Sequence, residues 1–147
     1  MQISVLAIIL FMSFQANSYD RFVVVKSNNT AEATVNKLLN SLSSKGMAIF
    51  STVDHQQGVI KSGLELRPTT LVIFGNPKVG TGLIQCDQRI GIDLSLIMLV
   101  WQDASGVSGL GYRTLGNLSK DFNLEGCEAP VAKVENATAN FAKATTL

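Results

Sequence analysis

Leu94-Ser95-Leu96-Ile97-Met98-Leu99-Val100-Trp101, followed by Gln102-Asp103-Ala104-Ser105-Gly106 and then Val107-Ser108-Gly109-Leu110-Gly111-Tyr112, is the stretch on which the fold turns. The first run is apolar at even and odd positions alike, which predicts a strand over Leu94–Trp101 in the middle of a sheet. Asp103 to Gly106 has the composition of a hairpin loop, with a glycine for a left-handed backbone position. Val107 to Tyr112 is then expected to return as an antiparallel partner. A sheet this apolar needs helices packed on it, and the flanking segments supply them.

Upstream, Arg21 to Lys26 holds a β-branched run fit for a first strand. Thr30 has the position of a helix N-cap, with Glu32 in the first turn, and Ala31, Val35, Leu38, Leu39 and Leu42 share one helical face. Lys45 and Gly46 end that helix. Met47–Val53 reads as a second strand, and Asp54 caps a short helix over Gln56–Ser62 that Gly63 closes. Leu64 to Pro68 is a connector, because the residue before a proline is pushed into extended conformation. Thr70–Phe74 is a near-continuous apolar strand, Gly75-Asn76-Pro77 a turn, and Gly80–Gln85 a brief helix before a polar link. Downstream of the hairpin two helices are expected, over Thr114–Phe122 and Pro130–Ala142. The pattern predicts a single compact α/β (α+β) domain: a mixed sheet of about five strands with helices packed on it, finished by an antiparallel hairpin and helices.

Twelve Lys and Arg against eleven Asp and Glu, scattered singly, leave no basic stripe for a phosphate backbone, so nucleic acid is not expected as a partner. Residues 1–18 carry no charge, and Ile3 to Phe11 is an apolar run of signal-peptide rather than bilayer-spanning length. Ala16-Asn17-Ser18 then offers small residues for cleavage before Tyr19; the competing reading is an uncleaved anchor or a misplaced start. Residues 19–147 form the expected domain, exported and without stable membrane insertion. In an oxidising compartment Cys86 and Cys127 are expected to pair, the alternative being two unrelated buried thiols. If the host is a eukaryote, Asn28, Asn117 and Asn136 begin glycosylation triplets, and Asn28, in an exposed connector, is the first choice.

Asp54-His55, Gly63-Leu64-Glu65-Leu66-Arg67-Pro68-Thr69, Leu71-Val72-Ile73-Phe74-Gly75-Asn76-Pro77-Lys78, Gly80-Thr81, and Asp93-Leu94 through Leu99-Val100-Trp101 together closely resemble the domain-of-unknown-function family 302. The resemblance spans roughly Phe22 to Phe122, including Tyr112. It implies a compact α/β fold, a tendency to dimerise and no settled biochemical role. The sequence departs from the family at Ser95, where members usually carry proline, at Arg113-Thr114, and at the two cysteines.

His55 is the single histidine, and no HExxH or clustered ligand spacing accompanies it, so no metal site is expected. Asp54-His55 at a strand end reads either as a proton-transfer pair or as a helix cap beside a loop histidine. Gly75 to Gly82 precedes a helix and includes Lys78, but it lacks the Lys-Ser/Thr ending of a Walker loop; a structural turn is its simpler reading. No G-x-S-x-G elbow exists, and a paired cysteine cannot attack. The ends of strands are where ligands gather in parallel α/β sheets. On that ground Asp54 and His55, as catalytic candidates, are expected to converge with Asn76, Lys78 and Tyr112 as ligand-binding ones. The function that follows is an extracytoplasmic module binding a small ligand or a protein partner, as a homodimer, with a small enzyme using His55 as acid or base as the alternative. No cofactor is indicated.

Overall fold

The computed structural model describes residues 22–116 and 121–147. Five strands, β1 (Phe22–Lys26), β2 (Ala48–Asp54), β3 (Thr69–Gly75), β4 (Leu96–Gln102) and β5 (Ser108–Arg113), form one sheet in the order β1-β5-β4-β3-β2. The doubly apolar strand is therefore central, as its composition requires. Each neighbouring pair is antiparallel, which corrects the expectation of a mixed sheet. The connections explain why. A parallel return from β2 to β3 would need a helix spanning a seven-residue strand, about 23 Å, whereas the six-residue helix α2 (His55–Ile60) rises only about 9 Å. Between β3 and β4, helix α3 (Pro77–Cys86) leads away, and the 3-10 turn Gln88–Ile92 packs back against it, so the chain re-enters at the end it left.

Local chemistry sets the helix starts. Thr30 Oγ1 accepts from the Ala33 amide at 3.2 Å to open α1 (Ala31–Ser44), and Asp54 accepts from the Gln57 amide at 2.9 Å to open α2. Helix α3 begins earlier than its sequence suggested. Asn76 Oδ1 takes the amides of Lys78 and Val79, and Pro77 sits in the first turn, so the residues read as a turn are a helix start. The last helix, α4 (Glu128–Thr146), extends beyond its expected range at both ends. The helix expected over Thr114–Phe122 falls partly on residues 117–120, and the proposed leader and its cleavage point on residues 1–21, all outside the described residues; Thr114 to Gly116 are not helical.

Helices α1 and α4 pack together over one face of the sheet. Between them lies a core of Leu38, Leu42, Val72, Phe74, Met98, Val100 and Leu110, closed by an edge-to-face contact of Phe74 with Phe141 at 6.1 Å between ring centroids. A disulfide joins Cys86 at the end of α3 to Cys127 at the start of α4, with 6.8 Å between their Cα atoms.

Among the described residues, no helix covers the other face of the sheet. Phe22 (43% exposed), Val24 (56%), Phe50 (55%) and Ile97 (47%) stand there beside half-buried Leu71, Ile73, Leu99 and Trp101. Strand β5 presents Gly109, Gly111 and, at its end, exposed Arg113 on this side, and Lys26 of β1 stands on it as well. A Cβ at Gly109 would lie 2.8 Å from the Trp101 ring, so the glycine exists to let the indole lie flat across its neighbour.

Candidate functional site

The strand directions separate the five residues the sequence had placed together. Asp54 pairs with Thr70 at the start of β3, whereas Asn76 and Lys78 follow the end of β3, beyond Gly75, which pairs with Ala48. His55 therefore lies at the opposite end of the sheet, about 20 Å of strand away from Lys78. Its side chain is exposed and makes no hydrogen bond among the described residues, and its neighbour Asp54 is engaged in capping. No group of three or more His, Cys, Asp or Glu able to hold a metal occurs among the described residues.

Tyr112 shares an end of the sheet with Asn76, since it pairs with Met98 near the start of β4. It faces the helices, only 7% exposed, and belongs to the core. Burial, with a smaller contribution from the Glu135 carboxylate, pushes its phenol pKa up. Lys78 is exposed on the first turn of α3.

Of the five, only Asn76 lines a cleft of about 390 Å³ at the end of the helix layer. The C-terminal end of α1, the start of α3, one stripe of α4 and the entry to β4 enclose it. Met47, Val79, Leu94, Leu96, Val134 and Phe141 make its apolar wall; Lys45, Asn76, Lys133 and Asn140 make its polar part. The size falls within the usual range for small-molecule sites, and so does the mix of apolar surface with a few polar groups. Sequence reading treated Lys45 only as a helix end. The missed signal lay in the last helix, where Lys133, Ala137, Asn140 and Ala144 recur at spacings of four, three and four. Small and polar residues there interrupt the stripe that Val134 and Phe141 would otherwise complete.

A second polar centre, also missed, is Asp87. Its carboxylate receives the Arg89 guanidinium at 2.7 and 3.0 Å, the Arg89 amide at 3.0 Å and the Asn123 amide at 3.0 Å. These bonds, the Arg89 side chain first, hold its pKa far below the usual carboxylate range. Beside the disulfide, this centre ties the α3 connection to the segment before α4.

Five antiparallel strands with α1 and α4 packed on one face define, among the described residues, a two-layer α+β domain. The chain belongs to the family described as Domain of unknown function DUF302, whose model matches residues 23–144, through the helix that walls the cleft. A crystal structure of an uncharacterized conserved DUF302 protein from Bacillus stearothermophilus superposes with a TM-score of 0.75, at 17% identity, over 86% of this chain and 98% of that one. Two curated relatives, each called Fluoride-specific ion channel FluC 1, come from Brucella suis and Brucella abortus. Each is 43% identical over 84 residues, 57% of this chain. The match spans about a third of those proteins, 33% and 31%.

Proposed function

We propose that this chain is an extracytoplasmic binding module that holds a small ligand in the cleft between α1, α3 and α4. The cleft carries the reading: about 390 Å³ of recess, walled by apolar side chains from four separate elements. The disulfide supports placement outside the reducing cytosol. The enzyme alternative has less behind it, because His55 is exposed and stands apart from Asn76, Lys78 and the cleft. Fluoride conduction is named for much longer relatives, and sharing a third of their length does not carry it over.

Native mass spectrometry of the protein purified from its own host tests the reading, with Ala137→Trp and Ala144→Phe as variants that fill the cleft. A co-purifying molecule lost from both variants, with thermal unfolding still cooperative, is the expected result. A ligand retained by both variants overturns it.

The open sheet face favours a second copy of the chain as partner. Five strands about 4.8 Å apart and six or seven residues long give a flat apolar area of about 20 by 24 Å. That is about 480 Å² in projection, below the roughly 800 Å² per partner of a standard interface and in the range of a weaker, reversible one. Such a face stacks on its own copy across a two-fold axis without needing a differently shaped partner.

A further inference from the structure

We infer that the cleft selects an amphipathic anion: a chain or ring of apolar carbon ending in a carboxylate or phosphate. This rests on the binding reading above and adds the ligand's chemistry. Two ammonium groups, Lys45 and Lys133, line the cleft, and no carboxylate does. Among the described residues neither lysine takes part in an ion pair or a hydrogen bond through its side chain, so both charges remain available to a ligand. Lys45 follows the end of α1 and Lys133 lies on α4, so the two approach from separate walls, which suits a head group with more than one oxygen.

The neighbouring amides point the same way. Asn76, which lines the cleft, spends its Oδ1 on the Lys78 and Val79 amides at 3.0 and 3.3 Å, which leaves its Nδ2 as a donor uncommitted among the described residues. Asn140 brings a second side-chain amide from α4. Behind these groups the wall contains no charge: Leu96, Val134 and Phe141 are buried, and Met47, Val79 and Leu94 are half-buried. A neutral apolar ligand would leave the two lysines unused, and a cation would meet like charge. An anion without an apolar body would leave the wall wet.

Volume bounds the body. At about 30 Å³ per non-hydrogen atom, a liquid-like filling of the cleft holds roughly thirteen such atoms, about the size of decanoate. The experiment is isothermal titration calorimetry of the full chain with decanoate, decyl phosphate, decanol and decylamine, repeated on Lys45→Gln/Lys133→Gln and on Ala137→Trp. Decanoate or decyl phosphate should bind at least tenfold more tightly than decanol, with decylamine weakest; whichever acid is tighter names the head group. The double glutamine variant should weaken the acids by tenfold or more and leave decanol unchanged, while Ala137→Trp should abolish all binding. Decanol or decylamine binding as tightly as the acids, or acid affinity unchanged in the double variant, overturns the inference. The cleft reading falls separately, if Ala137→Trp and Ala144→Phe both fold and still bind decanoate. A neutral molecule that co-purifies and is lost from those variants overturns the anion alone.

Discussion

At the residue scale, position and chemistry diverge most clearly at His55. Its side chain is exposed and Asp54 beside it serves the backbone, so the two residues have different consequences when removed. His55→Ala should change stability by no more than about 0.5 kcal/mol, whereas Asp54→Ala, which strips the Gln57 amide of its acceptor, should cost about 1 kcal/mol. Urea unfolding of both variants checks the difference; a larger loss at His55 would mean that it holds the fold. Tyr112 predicts a pH effect. Its folded pKa is raised above the unfolded value of about 10, mainly by burial, so the two states bind the proton equally below that pH. As pH rises past about 10 the unfolded chain ionises first and stability falls. Tyr112→Phe should flatten part of that alkaline loss, seen as a smaller shift of the urea midpoint between about pH 9 and pH 11; an unchanged slope would contradict it.

Elements were legible wherever one signal had one meaning. Thr30 and Asp54 read as caps and are caps, and the run from Leu94 reads as a central strand and is one. Asn76-Pro77 was ambiguous because a tight turn and a helix start draw on the same residues; only the amides of Lys78 and Val79 decide it. Strand direction leaves no mark in an apolar run, which is why a converging site was expected at ends that in fact alternate. The link after α3 looked merely polar, yet Asp87 organises it. Its lowered pKa gives a stabilising contribution present at neutral pH and lost as pH falls below about 4, where the unfolded carboxylate would already take up a proton. Asp87→Asn should therefore be less stable than the parent at pH 7, with the difference shrinking on acidification. A constant difference across that range would assign Asp87 a purely steric role. The adjacent disulfide closes a loop of 41 residues' separation, and replacing both cysteines by serine should cost about 4 kcal/mol in the chain-entropy description, read from the urea midpoint.

At the scale of the whole molecule, the apolarity of β4 on both sides means two different things. Its even-numbered side, Leu96, Met98 and Val100, is buried under helices; its odd-numbered side, Ile97, Leu99 and Trp101, belongs to a face that no described helix covers. From the sequence alone the two sides look equivalent, because both demand burial and only the structure tells which is met within one chain. The unmet half predicts self-association. Val24 and Ile97 stand on separate strands of the open face, each about half exposed, and neither supports the helix-side core. Val24→Lys/Ile97→Lys should leave the monomer folded, with a thermal midpoint within a few degrees of the parent, while burying unpaired charges within a stacked pair, one on the edge strand β1 and one on the central strand β4. Sedimentation equilibrium should then show a dimer for the parent chain and a monomer for the double variant. Because the cleft lies in the helix layer beyond the sheet, decanoate should bind both forms alike. A parent chain that sediments as a monomer across the micromolar range would remove the second copy as the partner of this face, and a double variant that remains dimeric would move the contact elsewhere.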